Sequence, residues 1–278
     1  MAFFNLFKEK IIEPIVHENE QGLTLLDGVH ILNNCNKVKL DGNAIVLESH
    51  NTNYDSVKGK SKIQILNGGK ISDIDGSTKL GYIKDVYITA VRGKVEITTI
   101  TSANIDYISE RVIVRTMNNG YIKFVDGKTR IDTMNNGKIM FLRNSAKIGT
   151  MCNGSIDGIL DKAQISTVEN GKINYVLDKA YIGTINKCTI LEVADSTEIG
   201  TLMDGEIGTV VGNSIICQQM GGKVSTKQAN SVIVYTYKKE SRKTKQKKAV
   251  KVENNTDEID KINVEFGEQT SLLIEEEK

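Results

Sequence analysis

The sequence predicts an all-β fold: a parallel β-helix, or β-solenoid, of about twelve 17-residue turns. Two observations point there first. Asn-Gly pairs recur at Asn119-Gly120, Asn136-Gly137, Asn153-Gly154 and Asn170-Gly171, and apolar positions recur at the same spacing. Stepping by 17 from Val29 gives Val46, Ile63, Leu80, Ile97, Val114, Ile131, Ile148, Ile165, Ile182, Ile199, Ile216 and Ile233, all aliphatic. Further columns run from Ile71 to Val224, from Leu40 to Val210 and from Leu66 to Leu202. The third observation is composition: no Trp, six Phe, nine Tyr and one Pro among 278 residues, so a large core must be aliphatic.

The period selects the architecture. Two-helix repeats need about 33 residues and leucine-rich repeats at least about 20. Seventeen residues hold two or three short strands joined by sharp bends. Each strand then pairs in parallel with its copy one turn later, about 4.8 Å away. Like stacks on like, so inward columns must be uniformly apolar, and about twelve turns make a rod of roughly 55–60 Å.

Residues 1–22 precede the array. Phe3, Phe4, Phe7, Ile11, Ile12 and Ile15 fall at helical spacing within residues 2–16. An open solenoid end exposes unpaired strand edges, so the expectation is a short amphipathic helix capping it. The competing readings are a membrane-surface anchor, with Phe3, Phe4 and Phe7 inserted and Lys8 and Lys10 near lipid phosphates, and a helix that docks on a partner.

Residues 23–237 form the solenoid. After each Asn, Gly is expected to supply the left-handed backbone of a tight bend, and stacked Asn side chains to bond along the rod. Val112, Thr129, Ala146, Ala163, Ala180, Thr197 and Ser214 make a small-residue column suited to a cramped corner. Asp161, Asp178 and Asp195 read as turn positions, with a stacked cation site as the alternative. Seven threonines, Thr99 to Thr201 in steps of 17, form another rank. Alternation from the Ile column turns it inward. An ice-binding surface shows two outward Thr ranks, and the second stops here after Thr101, at Asn118.

Residues 238–278 leave the repeat. Residues 238–251 carry eight basic residues against Glu240, and residues 252–278 carry nine acids against two lysines. The near-neutral total of 36 basic and 35 acidic residues hides this segregated tail. It reads as a disordered extension, with weak nucleic-acid contact through its basic run, or docking through its short apolar pieces, as alternatives. No aromatic residue interrupts the basic run to stack on bases.

The chemistry of known solenoid enzymes is absent from the pattern. The only histidines are His17, His30 and His50, all at the irregular N-terminal end, so no imidazole base sits on the regular coil. No long insert follows residue 60 to build a polysaccharide-cleaving groove. Cys35, Cys152, Cys188 and Cys217 lack paired metal-ligand spacing and read as free thiols. No cofactor is expected. There is neither a signal-peptide pattern nor an 18-residue apolar run, so synthesis in the cytoplasm is expected, with a virion as one destination.

Two resemblances follow from these residues. The pattern Asn-Gly-x-Ile-x-x-Val followed by Ala-x-Ile-x-Thr-Met resembles the loosely defined Asn-Gly-x-Ile solenoid proteins of phages and prophages. The stretch Gly171 to Gly222, with Ala180-Tyr181-Ile182-Gly183-Thr184-Ile185, and the start Phe3 to Lys10 are similar to bactofilins, polymerising cytoskeletal solenoids. The array and its tail are longer than in a typical bactofilin. Both resemblances imply a structural role and transfer no functional residue. The expected function is a non-enzymatic structural or attachment solenoid, with protein partners or self-association at its ends. The alternatives are a bactofilin-like scaffold and, third, a carbohydrate-active or acyl-transferring solenoid.

Overall fold

Twenty-six strands form one continuous ladder in the computed structural model, which describes residues 13–228, 230–237 and 249–253. About 13 turns coil around a single core. Among the described residues every strand pairing is parallel except the last. From the third turn on, the register is the sequence period itself: Val114 pairs with Ile131, which pairs with Ile148. The first turns are shorter. Ile15 pairs with His30, Val29 with Ile45 and His30 with Val46, with a register shift between His30 and Ile31. The inward place at the foot of the first column therefore belongs to His30, 4% exposed, and not to Val29.

One turn, residues 112–128, shows how the core is built. Val112, Val114, Met117, Gly120, Ile122 and Val125 point inward. Strand Ile113–Asn118 puts Val114 and Met117 in the core and leaves Arg115 and Thr116 outside; Tyr121–Val125 repeats this with Ile122 and Val125 inward. Strict alternation fails because the sheet wraps a narrow core, and a strand that bends mid-length shows two consecutive residues on its convex side. The threonine rank is displaced accordingly. Thr116 and Thr133 are paired rungs, half-buried on the outer surface and not in the core.

Each turn has two left-handed corners. At the first, φ is positive at Asn119, Asn136, Asn153 and Asn170, and not at the glycines that follow. Asn tolerates this conformation among the non-glycine residues. Gly120, Gly137, Gly154 and Gly171 serve a different end: a Cβ there would run into core side chains, above all the methionines. The amide ladder is also displaced by one residue: Asn135 Nδ2 donates to Asn118 Oδ1 at 3.0 Å. At the second corner φ is positive at Gly93, Glu110, Gly127, Asn144, Asp161, Asp178 and Asp195. The small column lies just beyond it. Thr197 and Ser214 donate their hydroxyls to the carbonyls of Ala194 and Val211, three residues back, both at 2.8 Å.

The ends differ from the sequence expectation. The helix expected over residues 2–16 does not reach its end: Ile15–Glu18 is a strand pairing with Val29–Asn33, and Gln21 bridges Asn36. The ladder thus starts before residue 23. Pro14, which lacks an N–H and restricts Glu13, stops a helix there whatever the apolar spacing. At the other end, part of the tail expected to be disordered is strand. Ala249–Glu253 pairs antiparallel with Val232–Tyr237, Tyr235 opposite Lys251. Its Ala-Val-Lys-Val-Glu alternation has the period of two that a strand requires.

Candidate functional site

Three surfaces have chemistry to offer: the N-terminal edge, the outer face of the second strand, and the second left-handed corner. Phe3, Phe4, Phe7, Lys8 and Lys10, the residues singled out for contact with a partner or membrane, lie outside the described residues. What they lead into is described. Ile15, Val16 and Leu26 are 54–55% exposed on the first turn. No helix among the described residues is long and apolar enough to cross a membrane.

Behind that edge sits a histidine pair. His30 Nε2 donates to the Asp27 carbonyl at 2.7 Å, and its Nδ1 faces His17 Nε2 at 3.2 Å. His17 Nδ1 lies 3.0 Å from Glu20 Oε1. Cys35 completes the packing, its thiol 3.5 Å from the His17 carbonyl. Both rings are committed to these partners. His50, exposed, meets Glu48 at 3.4 Å. The three histidines thus do not converge on one point.

The outer face of the second strand carries Tyr107, Phe124 and Phe141 on successive turns. Phe124 and Phe141 stack with centroids 5.8 Å apart and planes 14° apart. They stack along the rod, so each ring's face is turned to a neighbouring turn. Arg143 covers Phe124 at 4.6 Å, and Gly158 makes room for Phe141, whose Cδ1 stands 2.9 Å from where a Cβ would be. Beside them Asp126 is 7% exposed. Burial pushes its carboxyl pKa up, but the Asn144 amide, the Gly127 N–H and the Arg143 guanidinium together hold it below the usual value. That makes Asp126 a fixed anion and unsuited to be a general acid.

At the second corner the backbone N–H points along the rod and needs an acceptor. Two devices supply one. Asp75 and Asp126 accept from the next residue, Gly76 at 2.5 Å and Gly127 at 2.7 Å. Elsewhere the acid sits one turn later: Gly93 N–H donates to Glu110, Asn144 to Asp161, Asp161 to Asp178 and Asp178 to Asp195, at 2.9–3.0 Å. The aspartate trio is therefore a backbone cap. No group of three or more His, Cys, Asp or Glu among the described residues is placed to hold a metal ion.

The same corner carries a basic rank that motif reading missed: Lys60, Lys94, Arg111, Lys128, Lys162 and Lys179, all exposed and all in one 17-residue column. Stepping from Lys94 by the period would have revealed it. Gly76, Ser77, Gly93, Lys94, Glu110, Arg111, Gly127 and Lys128 line an open groove of about 530 Å3 along it.

The cysteines offer little reactivity. All four are free. Burial pushes the Cys188 thiol up to about 12. Burial, with Glu169 and Glu198 respectively, raises Cys152 and Cys217. All three stay protonated at neutral pH, and the thiolate is the nucleophile.

No protein-family model, curated protein or solved structure matches this chain.

Proposed function

We propose that this chain is a structural or attachment rod that contacts its partner through its N-terminal end, a structural role being what its resemblance to the Asn-Gly-x-Ile solenoids of phages and prophages implies. The observation that carries this reading is the asymmetry of the two ends. The N-terminal edge is a parallel strand with Ile15 and Val16 exposed. In the last coil, strand Val232–Tyr237 is instead covered by an antiparallel strand, Ala249–Glu253. A second copy cannot continue the parallel 17-residue register on that strand, whereas among the described residues no strand lies beyond Ile15–Glu18, so the two ends offer different surfaces. A ladder of about 13 turns provides a stiff spacer between such an end and whatever carries the rod.

A bactofilin-like scaffold is the second reading, and the exposed edge at Ile15–Glu18 favours it, because two such edges can pair. Negative-stain imaging separates the two. Discrete rods roughly 60 Å long are expected for attachment; end-to-end filaments would make polymerisation the function. Phe3, Phe4 and Phe7 supply the second arm. Changing all three to Ser should lower stability and promote association if they cover the edge. Loss of binding to anionic vesicles at unchanged melting temperature would identify a membrane anchor instead.

A further inference from the structure

We propose that the basic corner groove binds an extended acidic polysaccharide. Lys94, Arg111 and Lys128 stand on consecutive turns, about 4.8 Å apart. None makes an ion pair among the described residues. Like charges stacked directly on neighbouring strands repel one another. On other ranks of the rod an acid offsets this. Lys58 and Arg92 share Asp73, Lys79 and Arg115 share Glu96, and Arg115 and Arg130 share Asp132. Over these three rungs the groove holds Lys94, Arg111 and Lys128 against the single acid Glu110, so it presents a net positive charge that an anionic ligand would complement.

The shape and the remaining polar groups narrow the ligand. Gly76, Gly93 and Gly127 leave three of the four turns that line the groove without a side chain in that column, Glu110 being the exception, and the groove runs along the rod. Glu110 sits among the cations and commits Oε2 to the Gly93 N–H at 3.0 Å. A chain with a negative charge on every unit, such as polyphosphate or a nucleic-acid backbone, would meet that carboxylate head-on. A polysaccharide carries hydroxyl donors between its carboxylates or sulfates, and these can approach Glu110 and Ser77. The nearby aromatics do not rescue a nucleic-acid ligand. Phe124 and Phe141 spend a face on each other, and Lys123 and Arg143 lie over the Phe124 ring, so these rings are already engaged within the rod.

The test titrates the full chain with a sulfated, uronate-containing hexasaccharide, following backbone amide shifts and affinity at two salt concentrations. Shifts confined to residues 93–94, 110–111 and 127–128 are expected, with binding weakened by salt. Lys94→Gln/Arg111→Gln/Lys128→Gln should lose at least about tenfold in affinity without loss of melting temperature. Lys147→Gln/Lys172→Gln/Lys223→Gln, which removes equal charge from other faces, should bind as the parent does. If the groove variant binds like the parent, or the shifts lie elsewhere, the affinity belongs to another basic segment such as residues 238–251 and the assignment fails. Equal or tighter groove binding of inorganic polyphosphate or an oligothymidine would overturn the choice of polysaccharide.

Discussion

The Cε of Met134 stands 2.6 Å from the point where a Cβ on Gly154 would be. The glycine is space reserved for the methionine of the preceding turn. The relation repeats at Met117 and Gly137, where the distance is 3.0 Å, and at Met151 and Gly171. Where the core residue is the shorter Val168, Cys188 takes the glycine's column and is buried. Each rung is thus fitted to the rung before it.

Gly154→Ala should therefore destabilise the protein by about 1–2 kcal/mol, the lower part of the range for overpacking because the end of a flexible side chain gives way. In a Met134→Val background the same change should cost little or nothing. A double-mutant cycle in denaturant should give a coupling of about 1 kcal/mol or more, and additivity would show that the two residues do not share space.

Ile148 is 1% exposed and paired with Ile131 and Ile165 in the longest apolar column. Ile148→Asp leaves a buried charge with no partner, at a cost of about 3–5 kcal/mol. Hydrogen exchange should show the middle turns losing protection before the N-terminal ones, because a repeat contacts only its neighbours. Melting like the parent would show that the column does not face inward.

Asp178 accepts from the Asp161 N–H at 2.9 Å and holds φ at 63°. Asp178→Ala removes the acceptor and forces a residue with a plain Cβ into the left-handed region, together about 2–3 kcal/mol. Asp178→Asn keeps an acceptor oxygen and a residue type that holds positive φ at Asn144 in the same column, and should cost under about 1 kcal/mol. Adding calcium should leave the parent's melting temperature where it was. A large calcium-dependent rise would return the trio to the cation reading.

Burial raises the Cys188 thiol from its ordinary 9.0 to about 12, so the folded state keeps the proton that the unfolded chain releases. Its contribution to stability is complete below about pH 9 and is lost as pH rises toward 12. Cys188→Ala, the residue that stands at position 103 in the same column, should flatten the stability profile between pH 9 and 10. Burial raises Tyr54 as well, from 10.0, so it steepens the profile above that window. An unchanged slope in Cys188→Ala would show that the thiol is not the group responsible.

Truncation after Tyr237 removes the strand that covers Val232–Tyr237. The expected result is a melting temperature lower by several degrees and concentration-dependent association through the bared edge. A truncated chain that stays monomeric at the parent's melting temperature would show that the antiparallel strand contributes nothing.

The fold was legible in the sequence because stacking makes each inward column a repeated chemical demand. A polar residue at Ile131 or Ile148 would face aliphatic side chains on both neighbouring turns and find no polar partner, so the period appears in the letters. The same logic would have exposed the basic rank at Lys94, Arg111 and Lys128. What the letters did not carry is geometry within a turn. Which residue of Asn153-Gly154 takes the left-handed conformation depends on where the core ends, and the core ends at Met134 and Met151. Whether the threonines face in or out depends on where each strand bends around a narrow interior, which period-two counting ignores. The helical spacing read over residues 2–16 runs through Ile15, yet the edge at Val29–Asn33 offers Ile15–Glu18 a row of backbone partners, and Pro14 denies them the helical alternative. The sequence by itself determined the period, the aliphatic core and the parallel ladder. Only the tertiary structure decided the corners and the ends, because there each residue answers to a neighbour 15 to 20 positions away and not to its own propensity.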